Sequence, residues 1–204
     1  MRIGMSIFIG VLVYAALVYA APDGIRLVEI HDPITPVTAH FLHRQLAEAA
    51  RTGDRLMLIE MDTPGGLDTA MRQIVKDVMA SPVPVVVYVA PSGARAASAG
   101  AIIALAADLC AMAPGTNIGA AHPVSLGVQS DKTMEAKVVN DAEAYAEGIA
   151  RKRGRDVDLA RRMVRESISL SADKALTGKV IDLIAENRGD LLQAAPIGIL
   201  LMEG

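Results

Sequence analysis

The sequence predicts an α/β fold in which a mainly parallel sheet is covered by helices. Three observations predict it. Two short, nearly continuous apolar runs, "RLMLIEM" (Arg55–Met61) and "VPVVVYVA" (Val83–Ala90), have the character of strands buried on both faces. Stretches with apolar residues at helical spacing separate such runs. Strand and helix then alternate along the chain, as crossover connections between parallel strands require. At 204 residues and 52% hydrophobic content, the chain can bury one substantial core. With 3% aromatic residues and no Trp, that core is aliphatic.

The elements follow in order. "MRIGMSIFIGVLVYAALVYAAPDG" carries Arg2 and then no charge until Asp23. Residues 1–21 are expected to be a signal peptide or a retained membrane anchor, since about 20 apolar residues span a bilayer. The positive end stays inside, which puts the remainder on the extracytoplasmic side, membrane-associated or secreted. "IRLVEIH" (Ile25–His31) is a strand, and "TPVTAHFLHRQLAEAARTG" a helix stopped by Gly53. Arg55–Met61 is the next strand, broken by "TPGG". Leu67–Ala80 is helical, Val83–Ala90 a strand, Ser98–Ala107 an apolar helix and "LCAMA" a short strand. Thr116 to Lys132, with Gly119, Pro123 and Gly127, has no clear period and is expected to be a long loop. Thr133–Arg153 and "DVDLARRMVRES" are helices, and "SADKALTGKVIDLIAE" a short helix, a turn and a strand. The apolar tail 191–204 is too short to cross a membrane.

Charge excludes one class of partner. A net charge of -3 offers no basic footprint for nucleic acid. The cluster "RKRGR" (Arg151–Arg155) is expected to be a solvated helix end. The single cysteine, Cys110, forbids an intrachain disulfide and is expected in the core. His40 and His43 stand at i and i+3, yet no third ligand is near, so neither metal nor cofactor is implied.

Two glycine-bearing loops carry the chemistry. "MDTPGG" ends one buried strand and "PSGARAAS" follows the next. In open α/β sheets, sites form beyond the carboxyl ends of strands. Gly65 and Gly66 can expose bare N–H groups there. Ser98 would sit at a helix N-terminus, which favours negative charge. A hydroxyl beside N–H donors is what acyl transfer needs: a nucleophile and an oxyanion hole. A helix N-cap is the alternative for Ser98 and a simple turn for "TPGG". The pattern is not a "GxSxG" elbow, because Ala96 stands where the first glycine would be. Asp62 is expected to fix the turn through its side chain.

The ordered set "MDTPGG", "SPVPVVVYVAPSGARAASAGAIIALAAD", "MAPGTNIGAAHPV", "KVVNDAEAYAEGIARKRGR" and "LTGKVIDLIAEN" resembles the protease domain of NfeD-type membrane proteins. The resemblance runs from about Ile25 to about Ala185. It implies the ClpP/crotonase-like fold, a serine endopeptidase domain over 22–190 and a stomatin-like partner. It also implies hydrophobic protein or peptide substrates and a homo-oligomer, at least a dimer. Within it, Ser98 is the nucleophile and the N–H groups of Gly66 and Ala99 form the oxyanion hole.

Two residues are candidates for the base. His122 lies near where ClpP-type proteases carry their histidine, but a triad acid is wanted just before "LSA". Ser167, Ile168 and Ser169 stand there, with Glu166 the nearest carboxylate. The NfeD-type motif "KVVNDAEAY" instead assigns the role to Lys137, giving a Ser–Lys dyad. A free lysine near pKa ~10.4 is protonated at neutral pH, and desolvation lowers that value. Lys137 is therefore expected in an apolar pocket, with Met134, Val138 and Val139 nearby. Asn140 and Asp141 follow by one turn and either orient Lys137 or face water. Gly65 and His122 are supporting or substrate-binding candidates. Two other readings remain: a non-catalytic scaffold for membrane assemblies, and a crotonase-like acyl-CoA enzyme, which export disfavours.

Overall fold

In the computed structural model, which describes residues 20–21, 24–124 and 131–194, strands and helices alternate along the chain. The order opens with β1 (Ala20–Ala21), β2 (Ile25–Ile30), α1 (Pro36–Thr52), β3 (Leu56–Met61) and α2 (Asp68–Ala80). It continues through β4 (Val85–Val89), β5 (Arg95–Ala97), α3 (Ala99–Ala106), β6 (Leu109–Met112) and β7 (Asn117–Gly119). It ends with α4 (Lys132–Lys152), α5 (Val157–Arg165), β8 (Ser169–Ser171), α6 (Ala172–Thr177), β9 (Leu183–Ile184) and α7 (Arg188–Gln193).

Six strands form the main sheet, in the order β1-β2-β3-β4-β6-β9. β2, β3, β4, β6 and β9 run parallel, and only β1 is antiparallel to its neighbour. Side chains alternate across a strand, so each apolar run serves two faces. Met57, Ile59, Met61, Val85 and Val87 join Leu42, Ile74 and Ile103 in one core. Leu56, Leu58, Val86 and Tyr88 join Leu109 and Leu191 in the other. This is why β3 and β4 read as continuous apolar runs. Burying each such side chain stabilises the fold by about 1.5–3 kcal/mol.

Local signals bound the helices. Thr35 caps α1 reciprocally with Thr38, Pro36 opens the first turn, and Gly53 closes it at φ 71°. α4 rests on α5 through the buried Glu143, which accepts from Arg161 Nε at 2.7 Å and pairs with Arg165 at 3.1 Å.

Two expectations are corrected. The Thr116–Lys132 stretch is not wholly loop: β7 lies inside it, between β5 and β8 in a second, three-stranded sheet. Within it, residues 125–130 lie outside the described residues. "RKRGR" is not simply a solvated helix end, because Arg155 is buried, donating to the carbonyls of Leu105, Val180 and Ala107 and to Asp182. Arg153 likewise reaches inward to the Ala106 carbonyl and Asp108. Cys110 is buried, as expected. The N-terminal signal or anchor falls, apart from Ala20 and Ala21, outside the described residues, as does the tail beyond Ala194. Among the described residues no helix is long and apolar enough to cross a membrane.

Candidate active site

The glycine loop after β3 is locked from several sides. The Thr63 hydroxyl donates to the Asp32 carbonyl at 2.8 Å and accepts from Gly65 N–H at 3.2 Å. The segment before α1 holds the next residues: Ile34 N–H donates to the Gly65 carbonyl at 2.8 Å, and Leu67 N–H to the Ile34 carbonyl at 2.9 Å. The Asp62 carboxylate does not close the turn, which the Thr63 hydroxyl does; it accepts instead from Arg95 N–H of β5 at 3.0 Å. Thr63 also pairs with β5, donating to the Arg95 carbonyl and accepting from Ala97 N–H. The small sheet therefore draws the strand leading to Ser98 against the glycine loop.

Glycine is required here by space. A Cβ on Gly66 would stand 2.1 Å from the Ile34 carbonyl oxygen, and one on Gly100 2.4 Å from the Thr63 methyl. Gly65 has φ +111°. Its backbone lies directly against Ser98.

Ser98 is not a helix cap in the usual sense. It precedes α3 but its side chain makes no capping hydrogen bond. Its backbone has φ 54° and ψ -118°, a region that favours glycine. Such a conformation costs about 1–3 kcal/mol and persists only where the surroundings enforce it. Here Ser98 N–H donates to the Gly119 carbonyl at 2.9 Å, and the Ser98 carbonyl accepts from Ala101 N–H at 3.0 Å. The result is a sharp strand-to-helix turn that presents the hydroxyl without a "GxSxG" sequence. Among the described residues, neither Gly66 N–H nor Ala99 N–H is spent on a hydrogen bond.

Ser98, Gly66 and Ala99 open onto one cleft of about 810 Å³. α4 supplies its opposite wall, with Lys137, Val138 and Asp141 in the lining. Residues from three distant segments, among them Gly66, Ser98 and Lys137, thus share one cavity. Lys137 is nonetheless exposed, not enclosed in an apolar pocket. Val138 lines the cleft, but Met134 and Val139 do not. Asn140 is exposed and outside the lining, and Gly65 is buried behind it.

His122 stands beside the cleft rather than in its lining. Its Nδ1–H donates to the Val164 carbonyl at 2.9 Å. Glu166 pairs with Arg162 at 3.0 Å. No carboxylate contacts His122 among the described residues.

The cleft also contains residues that the sequence did not single out. Arg72 of α2 donates from Nε to Asp68 at 2.9 Å and from Nη2 to Asp141, and lies 4.3 Å from the Tyr145 ring centroid. The one local signal was the Asp68/Arg72 spacing of i, i+4.

The family model described as NfeD1b, N-terminal domain, matches residues 24–193. The membrane-bound protease PH1510 of Pyrococcus horikoshii is 37% identical over 185 residues, 90% of this chain. The chain spans only 42% of that protein's length. Two solved structures of the 1510-N membrane-bound stomatin-specific protease are 35% identical, each with TM-score 0.76 and covering 82% of this chain. One is a serine-to-alanine mutant, of which 82% is covered. The other is a lysine-to-alanine mutant in complex with a substrate peptide, of which 77% is covered. ClpP1 from Listeria monocytogenes, at 22% identity, has TM-score 0.66 over 81% of this chain and 94% of its own. The fold is ClpP-like.

Proposed function

This chain belongs to the family of NfeD1b N-terminal domains, and on that premise we propose that it is a serine endopeptidase using Ser98 and Lys137. One observation carries the reading: a strained, uncapped Ser98 opens onto the same cleft as Lys137. The mutated serine and lysine of the similar protease support the pairing.

The neutral Lys137 amine takes the Ser98 hydroxyl proton as Oγ bonds to the scissile carbonyl carbon. The carbonyl oxygen becomes an oxyanion received by the N–H groups of Gly66 and Ala99, each such donor being worth about 3 kcal/mol. Collapse breaks the C–N bond, and the Lys137 ammonium returns its proton to the leaving amine. Water, activated by the same amine, then hydrolyses the acyl-enzyme. Desolvation favours the neutral amine, so the exposed Lys137 must be covered for this step. Leu67, Val124 and Val138 are exposed apolar residues in its lining. They suit a hydrophobic polypeptide, whose arrival would expel water.

The natural substrate is proposed to be a hydrophobic segment of a stomatin-like membrane protein, by likeness to the stomatin-specific relative. The protein works as a homo-oligomer, at least a dimer. Residues 1–21 act as signal or anchor and residues 22–190 as the protease domain on the extracytoplasmic side.

A second reading has one observation behind it. With Nδ1–H committed to Val164, the His122 Nε2 is left as an acceptor, the tautomer a serine base needs. Fluorophosphonate labelling of the full chain separates the two. Labelling lost in Ser98→Ala and weakened in Lys137→Ala is expected. Labelling that survives Lys137→Ala but not His122→Ala transfers the role to His122. Complete absence of labelling and peptide cleavage would favour a non-catalytic scaffold.

A further inference from the structure

Helix α4 is supported unevenly. Residues 131–138 are all exposed, and fully buried side chains begin only at Glu143. Lys137 therefore rides on turns that the core does not hold. Arg72 reaches this wall from α2. It is anchored on Asp68 in its own first turn, stacks on Tyr145 and binds the Asp141 carboxylate.

Asp141 follows Lys137 by four residues, so both side chains stand on one face of α4. Both line the cleft. A free carboxylate at that spacing would draw in the lysine ammonium, and an opposite charge favours the protonated form. That is the reverse of what a base requires. Arg72 occupies this carboxylate instead.

We propose that Arg72 is a positioning residue that withholds Asp141 from Lys137 and so leaves the amine free to act as base. The inference rests on Lys137 being the base. The charged groups in the cleft lining are Asp68 and Arg72 from α2 and Lys137 and Asp141 from α4. α4 also carries Asp131 at its cap and Lys132 and Glu135 in its first turns, and His122 stands beside the cleft. α3 and α5 add no charge to the lining. The Arg72–Asp141 pair is thus the adjustable element of the local field.

The test is the pH profile of kcat/KM for cleavage of a fluorogenic apolar peptide by the full chain. Arg72→Gln is expected to move the rising limb about one pH unit higher, cutting kcat about tenfold near neutrality with KM within about twofold. Adding Asp141→Asn in that background should return the limb to its original position or below. Asp141→Asn alone, which keeps Arg72 on Asp68 and Tyr145, should move the limb to lower pH, and it decides the matter if Arg72→Gln does not fold. A limb unmoved by both substitutions, or a double variant no better than Arg72→Gln, overturns the role of Arg72. Wild-type cleavage that persists in Lys137→Ala overturns the base assignment itself, and this inference with it.

Discussion

A Cβ built on Gly65 would lie 2.5 Å from the Cβ of Ser98 and 3.1 Å from its hydroxyl oxygen. The glycine loop and the serine turn are thus packed backbone against side chain. The glycine loop cannot carry a side chain at this position without displacing the Ser98 side chain. Gly65→Ala combines that clash with an unsuitable φ, so it should destabilise by about 1–3 kcal/mol. Fluorophosphonate labelling should fall further than the loss of folded protein explains. A thermal melt and a labelling rate on the same sample check both.

The strain at Ser98 has its own signature. Ser98→Ala keeps the β-carbon and the unfavourable backbone; Ser98→Gly removes both. The glycine variant should be the more stable of the two by about 1 kcal/mol, or about 2–4 °C in Tm for a chain of this size. Equal melting points would mean that the turn stores no strain.

Lys137→Arg discriminates between a proton carrier and a fixed charge. Arginine stays protonated under all working conditions. If Lys137 takes a proton, the arginine variant should be as inactive as Lys137→Ala, each at least about 100-fold below wild type in kcat. Retention of activity by arginine would instead assign position 137 an electrostatic role.

Two buried groups should weaken the fold at alkaline pH. Burial pushes the Cys110 thiol from its ordinary 9.0 up to about 12, and the Tyr88 phenol from 10.0 up to about 12. Both stay neutral in the folded protein while the unfolded chain ionises. Their contribution is fully present below the ordinary values and is lost as pH rises from 9 towards 12. Each group adds a fall of up to about 1.4 kcal/mol per pH unit in that window. Cys110→Ala should flatten the slope above pH 9, read from urea midpoints. An unchanged slope would show that the thiol ionises equally in both states.

The large strands were legible because burial on two faces writes an unbroken apolar run, as in β3 and β4. The Ser98 turn and the "TPGG" loop were legible as a pair, since both close a strand at the same edge of the sheet. The small sheet was not. β5, β7 and β8 have three residues each, among Ala, Gly and Ser, and a run that short has no periodicity to detect. The dryness expected around Lys137 is not found, because Lys137 is exposed. Val138 does line the cleft, but Met134 is exposed outside the lining, since closeness in sequence does not place helical neighbours on one face. Arg72 escaped because its partner Asp141 is 69 residues away. Tertiary contact alone gives it meaning.

The first half of α4 stands bare along the cleft. If Lys137 is the base, a greasy sequence that fills the groove would itself supply the dehydration that starts hydrolysis. Selectivity and safety would then come from the same physical event, with the victim completing the catalyst.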